Sequence, residues 1–549
     1  MHDGKRPKDP VYGYITVPLN YIKEIIDTGT FQRLRRVVQT SYSPLYSSAV
    51  HNRFIHSIGV YHLGRIASGQ IIQGTKDNEE IQEFEIEKWC ETFNIACLLH
   101  DVGHAPFSHT GEQYYLDSNK GYSALHKRLV ELTGNSGFED IVPQASIDYA
   151  APHEIMSAII GIVRFGGMIG DENDKEFFAR CITGYLYEEN DRTSEIKNCL
   201  IGLLNSKVID VDKLDYLIRD AYFTGYETVN IDYRRLLESL TIVKFEGKFK
   251  TAFHKNAISV IENVVYAHDA ERKWIQSHPT VLYDSFILRH AIERLNDKMN
   301  HPSKKLFSEA SLTEMGQQFE EGAISLLCDD DIIYLMKNKF SDGIIEEYFN
   351  RSRRRHPIWK SEAEYKAYLR GMSNGGDILD KFEDAIELTA KFMNNNSDVG
   401  IINDEAMQRV NEMIKAVEES GELDSEEKAN QKREKGWILL VMKKLKEYSQ
   451  EHSLEFDYVI LTASEFNSGF GKADFSQTLV VFNTVNSEKI AEVKDIVASL
   501  TAKERNREKY FYIYYRRPEG GLDINKQDFC EFLLKGIGFG HPLEVSAEC

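Results

Sequence analysis

Apolar residues recur at helical spacing along the first 300 residues of the chain. An early stripe, formed by Leu19, Ile22, Ile25 and Ile26, lies on one face of a predicted helix. Further helices are predicted over 51–67, 152–165 and 208–225. The second begins at a proline and the third ends at a glycine, as helices commonly do. This part of the chain is therefore predicted to be helical.

The pattern changes twice after this helical part. Residues 240–256 alternate between apolar and polar, which predicts a β-hairpin that turns at Glu246–Gly247. Helical spacing resumes at about residue 257 and continues to about residue 450. Strand-like runs then follow, FDYVILTASEF, QTLVVFNTV and KYFYIYYRR, with the run KIAEVKDIVASL predicted as a helix between the last two.

The predicted fold class is mainly α, with a helical core, a short β-hairpin, a helical extension and a small α+β C-terminal unit. A chain of 549 residues is too long for one compact core. We therefore predict a helical domain over 1–300, a helical extension over 301–450 and an α+β domain over 451–549.

Composition excludes some classes of function. The chain is 42% hydrophobic and 28% charged, as in an ordinary soluble protein, and no apolar run reaches the length of a membrane span. The charged N-terminus has no hydrophobic stretch after it, so no secretory signal is expected. Seven scattered cysteines without a CxxC pair suit a reducing cytoplasm. A net charge of -20 opposes general binding of nucleic acid.

The stretch 94–109 carries the densest polar chemistry. His100, Asp101, His104 and His109 lie within ten residues, directly after a short apolar helix. A single histidine in such a place is most often a satisfied core residue. Four such groups together are more than a core tolerates without pairing or metal, so the stretch predicts a metal site. Glu112, three residues after His109, is placed to orient that imidazole.

Other polar residues are open to two interpretations. Asp212, in the first turn of a predicted helix, suits the helix dipole, and it is a candidate ligand because the site still needs a carboxylate. The basic residues of 33–36 suggest a solvated helix face. The basic cluster 351–355 is either a solvated patch or a site for phosphate or a partner.

Five ordered strings carry a resemblance to a known family: DPVYGYI, IIDTGTFQRLRRVVQ, HNRFIHSIGVYHL, LLHDVGHAPFSH and IDVDKLDYLIRDAYFTG. They resemble the HD-domain phosphohydrolases, and in particular the SAM-and-HD-domain-like and bacterial deoxynucleoside triphosphate triphosphohydrolases. The resemblance covers residues 9 to about 300 well and the rest weakly. It implies an HD-type helical core and conversion of a dNTP and water to a deoxynucleoside and inorganic triphosphate.

The resemblance implies roles for individual residues. The metal ligands it implies are His56, His100, Asp101 and Asp212, a set suited to Mn, Fe, Ni or Zn, with Mg as a further candidate near the nucleotide phosphates. The residues it implies around the phosphates and the leaving oxygen are His104, His109 and His153, with Glu112, Arg53 and Lys213. The residues it implies around the deoxyribose are Gln39, Tyr216 and Asp220.

The resemblance also implies regulation and shows departures. Asp27, Gln32 and Arg35 match residues that recognise an activating nucleotide between subunits, which implies a homo-oligomer, either a dimer or a tetramer. His268 stands where an arginine on the terminal phosphates is usual, and Gln276 replaces an aromatic residue near the base. These departures leave the substrate open.

Two alternatives to a dNTP triphosphohydrolase therefore remain. One is an HD phosphohydrolase that acts on another nucleotide or on a nucleic-acid end. The other is a nucleotide sensor that binds without catalysis, although such a protein has no need of the three additional histidines.

Overall fold

The computed structural model describes most of the chain. The described residues are 4–75, 83–112, 121–134, 150–226, 230–298, 327–339, 342–369, 376–395, 400–419, 425–462, 478–484, 487–497, 510–518 and 523–540. Among them, each helix is either too short or too polar to cross a membrane. The fold is mainly helical, as predicted.

The helices, numbered in chain order, are α1 (Leu19–Tyr21), α2 (Gly29–Gln32), α3 (Arg53–Thr75), α4 (Glu83–Leu99), α5 (His109–Glu112), α6 (Gly121–Thr133), α7 (Pro152–Ile169), α8 (Glu172–Thr183), α9 (Arg192–Leu204), α10 (Val211–Thr224), α11 (Tyr233–Glu238), α12 (Ile258–Ala270), α13 (Pro279–Lys298), α14 (Asp329–Lys339), α15 (Gly343–Phe349), α16 (Glu362–Leu369), α17 (Gly376–Asn395), α18 (Asp404–Glu419), α19 (Ser425–Glu451), α20 (Val493–Ile496) and α21 (Lys526–Gly538).

The strands are β1 (Gly4–Lys5), β2 (Lys8–Asp9), β3 (Gly13–Tyr14), β4 (Val17–Pro18), β5 (Leu240–Phe245), β6 (Lys248–His254), β7 (His356–Pro357), β8 (Tyr458–Thr462), β9 (Leu479–Thr484), β10 (Ser487–Glu492) and β11 (Phe511–Tyr515). The chain separates into two compact units. The first takes the described residues of 1–275, 296–340 and 467–504, and the second those of 276–295, 341–466 and 505–549. The predicted domain boundaries at about 300 and 450 stay a prediction.

Local capping signals set the ends of the helices that matter most in the first unit. Helix α10 begins after Asp210, whose Oδ1 accepts a hydrogen bond from the Lys213 amide at 2.7 Å, and it ends at Gly225 in the left-handed conformation. Helix α7 begins at Pro152, and the Glu154 carboxylate accepts a hydrogen bond from the backbone amide of Ala151 at 2.6 Å. Both helices start within three residues of the predicted bounds.

The predicted β-hairpin is present and belongs to a larger sheet. Strands β5 and β6 pair antiparallel, and the turn between them holds Glu246 and Gly247 at positive φ. Strand β9 adds parallel to β6, and β10 pairs antiparallel with β9, which gives the order β10-β9-β6-β5. A small core of Val243, Ala252, Leu479 and Val481 joins the hairpin to the later strands.

The helix predicted for KIAEVKDIVASL is wrong over its first residues. Residues 487–492 form strand β10, in which Ile490 pairs with Val481, and of the described residues only Val493–Ile496 are helical. Pairing with a neighbouring strand outweighs the helical propensity of this short segment. The remaining predicted strands, β8 and β11, pair antiparallel in the second unit in the order β7-β11-β8.

The second unit uses part of the basic cluster 351–355 for its own structure. Arg355 is buried and donates to Glu347 at 2.9 Å, to the Tyr283 hydroxyl at 3.0 Å and to Asp457. Arg354 lies 3.0 Å from Asp284. The prediction of a solvated patch is therefore wrong at these two arginines, because intramolecular carboxylates neutralise them.

Candidate metal centre and histidine cluster

Three helices of the first unit bring four polar side chains together. His56 lies in α3, His100 and Asp101 directly follow α4, and Asp212 lies in the first turn of α10. The Nε2 atom of His56 is 3.0 Å from Asp212 Oδ1, 3.4 Å from Asp101 Oδ2 and 3.2 Å from His100 Nε2. His56 is fully buried, whereas the Asp212 side chain is 37% exposed. The structure thus brings together all four residues predicted as metal ligands.

Hydrogen bonds on the far side of each ring decide which nitrogen faces this centre. His56 Nδ1 lies 2.7 Å from Asp215 Oδ2, and His100 Nδ1 lies 2.9 Å from the Cys97 carbonyl oxygen. Burial raises the pKa of Asp215, but Arg219 and His56 together outweigh this and lower it to about 2, so the carboxylate accepts only. Each Nδ1 therefore carries a proton and donates, which directs each Nε2 at the centre as the atom available to a metal ion.

The charges at this centre suit a cation. Burial raises the pKa of Asp101 and of Asp212, but Arg53 at the first and the neighbouring histidines at both outweigh it, so both pKa values lie well below the usual range. Burial disfavours a charge on His56, yet the carboxylates raise its pKa to about 10. Two Nε2 atoms and two carboxylates thus converge where a positive charge is favourable, either as a proton on His56 Nε2 or as a metal ion that would replace it. These nitrogen and oxygen donors could hold a divalent Mn, Fe, Ni or Zn ion.

Arg53 connects this centre to a second cluster. Its Nη1 donates to Asp101 Oδ2 at 2.8 Å, its Nε to Ser108 Oγ at 2.9 Å and its Nη2 to the Gln39 carbonyl at 3.3 Å. The same Nη2 lies 3.5 Å from His109 Nε2. Arg53 is buried, so its orientation is fixed by these partners.

The second cluster surrounds one carboxylate with three imidazoles. Glu112 Oε1 lies 2.8 Å from His109 Nδ1 and 3.2 Å from His104 Nδ1, and Oε2 lies 3.1 Å from His153 Nδ1. These are ion-pair distances rather than well-aligned hydrogen bonds, because Glu112 Oε1, His104 Nδ1 and His153 Nδ1 have no hydrogen bond to a described residue. The rings of His104 and His153 stack at 4.1 Å, whereas the His109 side chain is 68% exposed. His104 Nε2 also lies 3.1 Å from Asp101 Oδ1, so one aspartate contacts both clusters.

The stacked imidazoles differ in charge. Burial, with Arg53 and His153 nearby, lowers the pKa of His104 to about 3. Burial also opposes a charge on His153, but Glu112 outweighs it and raises that pKa to about 9. His104 is therefore neutral near pH 7 while His153 is charged. Both ring nitrogens of His104 are buried and lack a well-aligned hydrogen bond among the described residues, which suits contact with a ligand.

A glycine allows α7 to approach the loop that carries His104. A Cβ on Gly103 would lie 2.3 Å from the Ser157 amide nitrogen, and the Gly103 amide donates to Ser157 Oγ at 2.9 Å. This close contact sets His153 against His104. Arg33 donates to the His104 carbonyl at 3.0 Å and is buried, so the prediction of a solvated face for 33–36 is wrong at this residue.

Of the residues predicted to contact deoxyribose, Gln39 and Asp220 are connected through His51. Asp220 is buried and lies 2.6 Å from His51 Nε2, and the His51 backbone carbonyl accepts from the Gln39 amide at 2.9 Å. The side-chain Oε1 of Gln39 is buried and has no hydrogen bond to a described residue. Tyr216 is half-buried in α10, and burial raises its pKa well above the usual value. Contact of these residues with a sugar stays a prediction.

Two of the predicted phosphate-binding residues, Lys213 and His268, have an aspartate beside them. Lys213 Nζ donates to the Ser206 carbonyl at 2.6 Å and lies 2.7 Å from Asp210 Oδ2. His268 lies in α12, with its Nδ1 3.9 Å from Asp269 Oδ1. The roles of both residues stay predictions.

The residues predicted to bind an activator lie near the surface in a short helical region. Asp27 is exposed and lies 3.5 Å from Lys5 Nζ. Gln32 accepts from Arg35 Nε at 2.8 Å, and the Arg35 guanidinium lies over the Phe54 ring at 3.5 Å. Their role in binding a nucleotide stays a prediction.

Sequence reasoning missed the residues that support His56 from behind. Arg219 donates to both oxygens of Asp215, at 2.8 and 3.0 Å, and to Asp9 at 2.9 Å. Asp215 and Arg219 are four residues apart on α10, a spacing that could have identified the pair. Asp9 gave no such signal, because it lies 210 residues away from Arg219. Gly59 makes room for the pair, since a Cβ there would lie 2.0 Å from Asp215 Oδ1.

Curated proteins share part of this sequence. An uncharacterized protein of Mycoplasma genitalium is 30% identical over 261 residues, which cover 47% of this chain and 52% of that protein. The deoxynucleoside triphosphate triphosphohydrolase SAMHD1 homolog of Dictyostelium discoideum is 30% identical over 307 residues, 54% of this chain and 51% of that protein. A mimivirus protein named as HD domain-containing is 29% identical over 53% of this chain and 59% of that protein. No protein-family model matches the sequence.

The chain thus spans about half the length of the curated relatives it matches. These similarities support the HD-domain superfamily. A crystal structure of a hypothetical protein from Aquifex aeolicus has a TM-score of 0.52 and 18% identity, and the match covers 97% of this chain and 99% of that one. That likeness shows the fold alone.

Proposed function

We propose that the chain is a metal-dependent phosphohydrolase that converts a deoxynucleoside triphosphate and water to a deoxynucleoside and inorganic triphosphate. The observation that carries this proposal is the position of Asp101 between two clusters, with Oδ2 3.4 Å from His56 and Oδ1 3.1 Å from His104. Hydrolysis of a phosphate ester needs an activated water on one side of phosphorus and a proton for the leaving oxygen on the other. The Dictyostelium relative, named as a dNTP triphosphohydrolase, adds support.

The metal ion would be held by His56, His100, Asp101 and Asp212. When bound, such an ion lowers the pKa of a coordinated water and polarises a phosphoryl oxygen. Water adds to the α-phosphorus, and the bond from that phosphorus to the nucleoside 5′ oxygen breaks.

The chain's own cations and imidazoles complete the reaction. Arg53, fixed beside Asp101, faces the phosphate charge, and the charged His153 adds to it. His104 offers a neutral imidazole. His109, the exposed member of the cluster, acts in its doubly protonated form: Nδ1 faces Glu112, and Nε2 gives its proton to the departing 5′ oxygen.

Substrate selection is assigned to residues around this centre. Gln39, Tyr216 and Asp220 contact the deoxyribose, and Tyr216 crowds a 2′ hydroxyl. Lys213 and His268 contact the outer phosphates, which requires Lys213 to leave Asp210. The ion pair between Lys213 and Asp210 also favours a second candidate, an HD phosphohydrolase that acts on a nucleotide with fewer phosphates.

Regulation is part of the proposal. Asp27 and Arg35 are exposed and therefore accessible to an activating nucleotide, with Gln32 beside them, between subunits of a cytoplasmic homo-oligomer. Activation predicts turnover in a mixture of nucleotides that exceeds the sum of the single reactions.

Product analysis tests the reaction. Full-length protein is incubated with Mn²⁺ and each dNTP, singly and as a mixture of four, and the products are separated by ion-exchange chromatography. Deoxynucleoside with intact triphosphate is the expected result. Nucleoside mono- or diphosphate products would favour the second candidate. Absence of turnover from a protein that binds stoichiometric metal would favour a different phosphorylated substrate, whereas absence of turnover together with absence of bound metal would favour the sensor.

The variant Asp212→Ala tests the metal centre. Since it removes a ligand, turnover should fall by more than the roughly 100-fold that loss of an outer partner causes. Circular dichroism should show the helices unchanged, and metal content should fall below one per chain. The control Glu172→Ala removes an exposed acid from the first turn of α8 and should keep activity. Full activity of Asp212→Ala would exclude this residue from the site.

A further inference from the structure

Three consecutive acids at the start of α14 have different partners. Asp331 accepts a hydrogen bond from the Cys328 amide at 2.8 Å and so caps its own helix. Asp330 is exposed and lies 2.7 Å from Arg36. Asp329 is only 4% exposed and is directed at two backbone amides that are distant in sequence. Its Oδ1 accepts from Phe107 N at 2.7 Å and its Oδ2 from Val38 N at 2.9 Å.

The loop that Asp329 contacts is strained. Phe107 and Ser108 both have positive φ, at 61° and 52°, although neither is glycine. Such residues cost free energy and persist only when their surroundings hold them. The next residue is His109, so the direction in which the chain leaves Ser108 sets the position of that imidazole.

A chain of hydrogen bonds leads from Asp329 to the candidate metal centre. The Val38 carbonyl accepts from the Ser108 hydroxyl, and Ser108 Oγ accepts from Arg53 Nε at 2.9 Å. Arg53 in turn donates to Asp101 at 2.8 Å. Asp329 thus holds two backbone segments, one at Val38 and one at Phe107, against which Arg53 is oriented.

Burial of the charge on Asp329 carries a cost. Burial raises the pKa of its carboxyl to about 7, although the two amides and Arg33 act in the opposite direction. A buried carboxylate without a directly bonded cation is a cost to stability rather than a gain.

We propose that Asp329 is a positioning residue for the reaction: its carboxylate clamps the Val38 and Phe107 amides and so holds His109 and Arg53 in place. This inference rests on the proposed phosphohydrolase function. A segment far along the chain thereby becomes necessary for a centre whose metal ligands and histidine cluster lie between Arg53 and Asp212.

The test compares Asp329→Asn with the neighbouring control Asp330→Asn. Asparagine keeps the size of the side chain, but its NH₂ group faces one of the two amide donors. A displacement of about 1 Å can cost roughly 100-fold in rate, so kcat should fall by about 10- to 100-fold with KM and metal content nearly unchanged. The control should keep both constants within about twofold. A purely structural role would instead lower the thermal midpoint and the active fraction.

A second variant and a second measurement keep the test decisive. Asp329→Glu retains two acceptor oxygens and should keep part of the wild-type kcat. This variant serves as the test if Asp329→Asn fails to fold. Hydrogen exchange followed by mass spectrometry should show faster exchange at 37–39 and 105–109 in Asp329→Asn only. Normal kcat in Asp329→Asn would overturn the inference, and so would unchanged exchange.

Failure of the proposed function is distinguishable from failure of this inference. If the wild-type protein does not hydrolyse dNTPs, turnover of bis(p-nitrophenyl) phosphate with Mn²⁺ replaces it as the activity readout. If that substrate is also inert, the exchange measurement alone decides whether Asp329 holds the loop.

Discussion

Replacing Asp215 with asparagine should weaken metal binding while leaving the metal ligands in place. Asp215 Oδ2 accepts both from His56 Nδ1 at 2.7 Å and from Arg219 Nε at 2.8 Å, and Oδ1 accepts from Arg219 Nη2 at 3.0 Å. All three acceptor positions face donors. In either orientation of the amide, therefore, the NH₂ group of asparagine faces an N–H group.

The size of the effect follows from the loss of one charge-assisted hydrogen bond. Such a bond contributes about 1.5–3 kcal/mol when buried, and both side chains here are fully buried. At about 1.4 kcal/mol for each factor of ten, the Kd for Mn²⁺ should rise by roughly 10- to 150-fold. Loss of a partner behind a metal-bound histidine typically costs a similar factor.

Isothermal titration of Mn²⁺ into chelator-treated protein measures this Kd. The matched control is Asp9→Asn. In the wild type, Asp9 accepts from Arg219 at 2.9 Å and does not contact His56. The variant keeps the Oδ1 atom, which accepts from two backbone amides. The control should stay within about threefold of wild type. A folded Asp215→Asn protein with a wild-type Kd would refute the reasoning that Asp215 sets the ring nitrogen of His56.

Two further predictions concern packing and substrate choice. Gly59→Ala should lower the free energy of unfolding by about 1–3 kcal/mol in urea titrations, because its Cβ would lie 2.0 Å from Asp215 Oδ1 and 2.3 Å from Arg219 Nη2. Gly69→Ala on the same helix meets no atom within 4 Å and should be neutral or stabilising; equal effects of the two would contradict the close approach. Tyr216→Ala should reduce the ratio of kcat/KM for a dNTP to that for the matching ribonucleotide. An unchanged ratio would remove Tyr216 from sugar selection.

Local signals in the sequence were sufficient for two of the helices that carry the site, whereas α3, predicted to end at residue 67, continues to Thr75. Asp210 and Gly225 mark the ends of α10, and Pro152 marks the start of α7. The spacing of His100, Asp101 and His104, with the family resemblance, identified side chains that the structure places within contact distance. These features depend on residues close in sequence, which is why they are readable.

Features that depend on distant partners were not predictable from one sequence. Strand β10 exists because β9 lies beside it, and its own residues suit a helix equally well. Asp329 resembles its two acidic neighbours until its amide partners are known. Lysine is a residue type that commonly binds phosphate, yet in this structure Lys213 forms an ion pair with Asp210.

The sheet of the first unit also governs the order in which the chain can fold. Strand β6 is flanked by β5 from the same hairpin and by β9, which is synthesised much later. Until β9 leaves the ribosome, the outer edge of β6 presents unpaired amides and carbonyls, an arrangement prone to association with other chains. A fragment that stops near residue 450 contains every residue assigned to the site but leaves this edge open. We expect such a fragment to aggregate, so expression of the isolated N-terminal part should be designed to include 478–492.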